Sequence, residues 1–215
     1  MNAASKQHQS FPLRQALHIA LATAAVLPAA AAAQATLTLH GGWRTSSGLE
    51  TEQTTQQPAG EVKVSDSSFG MLVAGWNLDA QRDLEVQISQ QSTTLSAPTS
   101  TGRLSVPLKL LTVQVGGINF FDDTAGRGPY VAGGLGLTRM TPDLQGGSSE
   151  TRPSLAVALG YAWQYKALTL RTEARFNTIV VNSSGGLFCS GGCALVISGT
   201  ALTQLEASVG LGFRF

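Results

Sequence analysis

The sequence predicts an all-β fold: an eight-stranded antiparallel transmembrane β-barrel preceded by a cleavable signal peptide. Three observations predict it. First, the last fifteen residues, Ala201 to Phe215, alternate in character: Leu205, Ala207, Val209, Leu211, Phe213 and Phe215 fall on one side, with Gln204, Glu206, Ser208, Gly210, Gly212 and Arg214 on the other. A strand sends alternate side chains to opposite faces, so one face is apolar and aromatic and the other polar or small. Second, the connections between such stretches alternate long and short. Third, nothing after residue 33 is apolar enough for a membrane helix, which needs about 18 or more residues. A barrel strand needs only about 9–11, with alternating polarity.

Residues 1–33 read as the signal peptide and residues 34–215 as the barrel domain. Lys6 and Arg14 supply positive charge, an apolar run follows from Ala16 to Ala30, and Ala31-Ala32-Ala33 precede Gln34. Charge, apolar core and small-residue exit in that order describe a secretory leader. The run is short for an anchor and is interrupted by Pro28. Taking Lys6 and Arg14 from the fourteen Lys and Arg leaves twelve against thirteen Asp and Glu, a net charge near −1. That balance offers nucleic acid no electrostatic attraction, so no such partner is expected.

Strand one covers 36–44, with Leu37, Leu39 and Trp43 against Thr38, His40, Gly42 and Arg44. A polar loop over 45–65 follows. Strand two spans about 67–77, and its weak alternation leaves its faces unassigned. After a short turn from Asn77 to Arg82, strand three sets Leu84, Val86 and Ile88 against Glu85, Gln87 and Ser89. Residues 91–103 read as a second polar loop. Strand four lies within 104–120. Leu104, Val106, Leu108 and Leu110 fit one register and Leu111, Val113 and Val115 the other, which predicts a bulge near Leu110 and Leu111. Pro107 predicts that the upper end of that strand is irregular or lies beyond the membrane.

Strand five runs from Pro129 to Met140, and 141–152 form a third loop. Strand six carries Leu155, Val157, Leu159, Tyr161 and Trp163 opposite Ala156, Ala158, Gly160 and Ala162. Strand seven sets Leu168, Leu170, Ala174 and Phe176 against Thr169, Arg171, Glu173, Arg175 and Asn177. Residues 182–200 form a fourth loop. Four long loops and three short turns fit an even-stranded barrel with both termini in the periplasm. Trp76, Phe120, Phe121, Tyr130, Trp163, Tyr165, Phe213 and Phe215 fall at the periplasmic ends, and Trp43, Phe69 and Phe176 toward the other rim. A soluble barrel would turn its apolar face inward. The charged face of strand seven argues for the membrane instead, since a small lumen lets Arg171, Glu173 and Arg175 pair.

Two places resemble a known family. Val209, Leu211, Phe213 and Phe215 resemble the C-terminal assembly signal of bacterial outer-membrane barrels, which implies the barrel-assembly machinery as a partner. The run Val113-Gln114-Val115-Gly116-Gly117-Ile118-Asn119-Phe120-Phe121, then Gly128-Pro129-Tyr130-Val131-Ala132-Gly133-Gly134-Leu135-Gly136, resembles the central hairpin of the small OmpA-like and opacity-type proteins. That resemblance implies a monomeric, non-enzymatic barrel in the Gram-negative outer membrane. Its loops would act as a surface antigen in adhesion, immune contact or envelope integrity, meeting lipopolysaccharide and a host or cell-surface ligand. The two-domain members continue past the barrel; this sequence ends at Phe215, so no peptidoglycan-binding domain is expected in it.

Candidate chemistry is sparse. With the leader removed, His40 is the remaining histidine. A lipid A-modifying hydrolase would need Ser89, Ser208 or a loop serine to meet it, because nucleophile and base must lie within hydrogen-bond reach. Glu85, Arg171, Glu173, Arg175, Glu206 and Arg214 are candidate lumen charges. They read as an ion path or, given how little room eight strands leave, as a salt-bridged plug. Cys189 and Cys193, separated by Ser190-Gly191-Gly192, read as a disulfide in an oxidising compartment. A zinc site would want four ligands, and no histidine lies nearby; neither a metal nor a cofactor is expected. The leading expectation is a structural or surface-interaction protein, with a narrow channel or binder of small hydrophobic solutes as the alternative. Mass spectrometry of protein from an outer-membrane fraction is expected to find Gln34 as the N-terminus. A mature chain that retains Lys6 and Arg14 would overturn the leader assignment.

Overall fold

In the computed structural model, eight long strands close into a ring, each antiparallel to its neighbours. They are β1 (Ala35–Ser46), β2 (Ser67–Asn77), β3 (Arg82–Thr99), β4 (Gly102–Phe120), β5 (Gly128–Pro142), β6 (Glu150–Tyr165), β7 (Leu168–Val180) and β8 (Ala201–Arg214). The structure describes residues 34–51, 60–99, 102–122, 124, 126–144, 147–181, 186–187, 195–196 and 201–215. The chain divides into two units, Met1–Gln34 and Ala35–Phe215. The expected signal peptide and the expected Cys189–Cys193 disulfide both lie outside the described residues.

Each strand pairs with the next in sequence, and β8 returns to pair with β1 from Thr36↔Arg214 to Ser46↔Gln204. That seam removes the last free edge, which a backbone in hydrocarbon cannot leave unpaired. Short strands Leu49–Thr51 and Gly60–Val64 pair with each other, and the second adds to β3 at Lys63↔Ser96 and Val64↔Leu95.

The alternation places the apolar set outside. Leu39, Trp43, Leu84, Ile88, Val113, Val115, Leu135, Leu159, Trp163, Leu170, Leu205, Val209, Leu211 and Phe213 are each 39–66 % exposed. A soluble barrel would have buried them. An exposed belt running round a ring whose interior is polar is the signature of a lipid-facing wall. On β2 the structure supplies the faces that weak alternation left open: Phe69, Met71 and Val73 point inward, and Leu72 outward.

The predicted loop over 91–103 is largely strand. β3 continues to Thr99 and pairs with β4 down to Thr99↔Gly102. Its Ser and Thr residues are strand-compatible, and the hairpin continues past the lipid belt, where polar outward residues meet water. No bulge interrupts Leu110 and Leu111. Register runs unbroken through Gln91↔Leu110 and Gln90↔Leu111, and on the far side through Leu110↔Met140 and Leu111↔Arg139. Both alternating sets of β4 are apolar because they meet different partners. Val106 is buried, and Leu108 and Leu110 enter an internal cluster with Val62, Val64, Leu95, Met140, Ile179, Val181 and Leu202, while Leu111, Val113 and Val115 face lipid.

The short turns are locally determined. Between β2 and β3, Asp79 Oδ1 accepts from the backbone N–H groups of Gln81 and Arg82 at 3.0 and 2.9 Å. The Arg82 guanidinium 2.6 Å from Asp79 holds that carboxyl below the usual range. Lys166 takes φ 55° in the two-residue turn between β6 and β7.

Three aromatics assigned to the girdles point inward. Phe69, Phe120 and Tyr130 are buried, and Tyr130 lies against Gly160, where any Cβ would collide with its ring. Gly160→Val therefore has to displace Tyr130 and is expected to destabilise the barrel by about 1–3 kcal/mol. Gly41→Val, on the outer face with open space around it, is expected to change little. Urea unfolding from lipid vesicles separates the two; equal effects would overturn the packing argument.

Candidate functional site

Among the described residues, the lumen gathers the buried ionisable side chains. Strands β7, β8 and β1 present long polar residues inward; strands β4, β5 and β6 present Gly116, Gly134, Gly136, Ala132, Ala156, Ala158, Gly160 and Ala162. Long side chains from one wall fill the room left by small ones on the other. Eight strands leave an interior just wide enough for this arrangement.

Glu85, Arg171, Glu173, Arg175 and Glu206 all lie buried in the lumen. Arg171 Nη1 donates to Glu85 Oε1 at 2.7 Å, across 86 residues of sequence. Glu173 is a hub. Its Oε1 accepts from Arg175 Nε at 2.8 Å, its Oε2 accepts from the Tyr130 hydroxyl at 2.9 Å, and Arg171 Nη2 lies 3.8 Å away. The Arg171 guanidinium stacks 4.8 Å from the Tyr130 ring centroid. Glu206 pairs with a partner absent from the predicted set: Arg44 Nη2 lies 2.9 Å from its Oε1. Arg214, the remaining candidate charge, sits half-buried at the periplasmic end, donating from Nη1 to Gln164 Oε1 at 3.2 Å.

Arg44 also donates to Gln91 Oε1 at 3.0 Å and stacks 4.5 Å over the Phe69 ring. From Gln91 an amide belt crosses the lumen. Gln204 Nε2 donates to Gln91 at 3.2 Å, Asn177 Nδ2 to Gln204 at 3.4 Å, Gln114 Nε2 to Asn177 at 3.0 Å, and Gln87 Nε2 to Gln114 at 2.6 Å. Sequence reasoning missed Arg44, Tyr130 and these amides. Arg44 shares the inward register of His40, so the alternation of β1 carried the signal. Tyr130 gave none, since an aromatic at a strand end fits a girdle equally well.

Apolar clusters flank the ion network on both sides. Below it, toward the short turns, Ile118, Phe120, Tyr130, Ala132, Ala158 and Ala162 form one apolar cluster. Above it lies the larger cluster built around Leu108, Leu110 and Ile179.

The structure also brings His40 and Ser208 together, with Nδ1 3.3 Å from Oγ. The imidazole fills the space over Gly210, whose Cβ would sit 2.6 Å from the ring. A Ser–His–acid triad needs a carboxylate on the ring nitrogen opposite the serine. His40 Nε2 has no hydrogen-bond partner among the described residues. Ser89 instead accepts from Arg44 Nη2 at 3.4 Å. Val209, Leu211, Phe213 and Phe215 all lie on the lipid-facing side of β8 and its end.

No family model matches the chain, and no curated protein matches it by sequence. Solved structures do. Neisserial surface protein A is similar at a TM-score of 0.54 and 18 % identity, covering 85 % of this chain and 97 % of that one. Outer membrane protein AlkL is similar at 0.49 and 12 %, covering 85 % and 90 %. Ail of Yersinia pestis is similar at 0.43 and 13 %, covering 85 % and 99 %. The closed ring, its exposed apolar belt and the first of these likenesses define the class: a small eight-stranded barrel of the bacterial outer membrane, with the OmpA-like and opacity-type architecture that the central hairpin resembled. Within that class, the similarity to neisserial surface protein A is one of fold.

Glu173→Ala removes the acceptor shared by Arg175 and Tyr130. Breaking a buried pair from one side costs about 3–5 kcal/mol, because the abandoned charge stays desolvated. Replacing Arg44 and Glu206 together by Met is expected to cost less than Glu206→Ala alone. Urea titration of the vesicle-inserted barrel measures both, and additive losses at Arg44 and Glu206 would mean that the two do not act as a pair.

Proposed function

We propose that this chain is a non-enzymatic outer-membrane barrel protein with a structural or surface-interaction role, in adhesion or envelope integrity, exercised at its extracellular side. The observation that carries the reading is the filled lumen. Salt bridges and amides occupy its middle and apolar clusters its two ends, which leaves the outer surface as the working part. The β3–β4 hairpin supports the same reading. At 18 and 19 residues its strands exceed the span of a membrane, so they carry a sheet into the medium.

In this reading lipid and lipopolysaccharide surround the belt, and the barrel-assembly machinery reads the strand ending at Phe215. A host or cell-surface ligand meets the outer sheet, and one chain forms the barrel. A narrow channel or binder for small hydrophobic solutes is the second reading. One feature favours it: the internal cluster at the outer end is wholly apolar.

Replacing residues 94–107 by a tight turn is expected to leave the boiling-dependent gel shift of a closed barrel intact and to lower cell attachment or detergent resistance of the envelope several-fold. Planar bilayers containing the full barrel are expected to show no conductance. Unchanged attachment and envelope resistance after all four loops are shortened would overturn the surface role, and steady conductance would favour the channel.

A further inference from the structure

Among the described residues, the first outward-facing position beyond the lipid belt is charged on one wall only. On each strand the first outward-facing residue beyond the belt can be read from the register. It is Thr45 on β1, Ser68 on β2, Gln90 on β3, Pro153 on β6, Thr178 on β7 and Thr203 on β8, all uncharged. On the adjacent strands β4 and β5 it is Lys109 and Arg139, both exposed. Leu111 faces Arg139 across the ladder and Lys109 faces Thr141, so the two cations are diagonal neighbours on one surface. Diagonal positions lie about 7–8 Å apart, close enough for one anionic group to meet both.

Hydroxyls complete the patch. Arg139 Nη2 donates to Ser149 Oγ at 3.4 Å, and Thr141 Oγ1 lies 3.3 Å from the same oxygen. On the other side Ser92 is the direct cross-strand partner of Lys109. Ser92 also forms the edge of a shallow cavity of about 370 Å³ with Ser68, Gly70 and Gln90. The exposed carboxylate of Asp143 is the other diagonal neighbour of Lys109, one row farther out, where its backbone N–H donates to the Pro107 carbonyl at 2.9 Å. Among the described residues no ion pair joins it to Lys109.

We propose that Lys109 and Arg139, with the hydroxyls of Ser92, Thr141 and Ser149, form a binding site for the phosphate of an outer-leaflet lipid headgroup. The proposal rests on the membrane reading above and adds the residues and the ligand chemistry. The physical case has two parts. Lys109 and Arg139 are the next outward-facing residues beyond Leu111 and Leu137 on their strands, so a lipid whose acyl chains lie on the belt would bring its phosphate to them. Basic side chains near a membrane surface attract anionic headgroups, and each adds roughly a fivefold preference. The cavity beside Ser92 gives the polar part of a bulky headgroup room next to the two cations.

The test uses the full-length barrel in phosphatidylcholine nanodiscs, with bisphosphorylated lipid A titrated in and bound lipid counted by native mass spectrometry. Wild type is expected to retain lipid A, and Lys109→Ala with Arg139→Ala to retain roughly 10- to 30-fold less. Lys63→Ala, which removes an exposed cation elsewhere on the outer sheet, is expected to leave retention unchanged. Dephosphorylated lipid A is expected to bind both barrels equally and weakly. Millimolar inorganic phosphate is expected not to compete, because the lipid is held by its chains as well. Equal retention by wild type and the double variant would overturn the site. Loss that persists with the dephosphorylated lipid, or full displacement by inorganic phosphate, would overturn the headgroup assignment. The boiling-dependent gel shift, run on each variant, separates failure of the site from failure of the barrel.

Discussion

A backbone in hydrocarbon has no water to bond, so every strand edge must find another strand. In this chain the requirement is met at the seam between β1 and β8, residues separated by most of the sequence. Once the seam closes with eight strands, the interior diameter follows. A narrow interior then dictates what can point inward. Long charged residues on β7, β8 and β1 are compatible with the ring because β4, β5 and β6 offer glycine and alanine opposite them.

The same narrowness governs the electrostatics. Charges taken from water lose several kcal/mol of hydration each, and a pair recovers this only with good geometry and further hydrogen bonds. Glu173 satisfies both conditions through Arg175 and Tyr130; Glu206 has the Arg44 guanidinium, itself held by Gln91 and Ser89, while its Oε2 has no hydrogen-bond partner among the described residues. The amides from Gln87 to Gln204 tie the Arg44–Glu206 pair, through Gln91, into a cross-lumen network. Such a network suits rigidity better than conduction, because an ion passing through would have to part several coupled bonds at once.

In the proposed reading, a filled barrel leaves its outer surface as the working part. There the chain has two features that the membrane wall alone does not require: a long β3–β4 hairpin supported by the strand Gly60–Val64, and a one-sided cationic rim. The apolar cluster inside the outer end stabilises the hairpin's base with the same residues that made β4 look bulged. Leu108 and Leu110 serve the internal core at the outer end, while Leu111, Val113 and Val115 serve the lipid.

Much of this was legible from local pattern. Period-two alternation marks β1, β3, β6, β7 and β8 because the membrane penalises polar residues on one face independently of every other strand. The inward register of Glu85, Arg171, Glu173, Arg175 and Glu206 follows from that same alternation. What the sequence could not carry is pairing. Arg171 meets Glu85 and Arg44 meets Glu206 because ring closure sets the shear between strands, and shear is a property of all eight together. Only the tertiary structure could therefore assign Tyr130 to the lumen, pair His40 with Ser208, remove the bulge at Leu110 and extend β3 through a stretch that reads locally as loop. Alternation decided which face each residue takes; closure decided which residue waits on the other side.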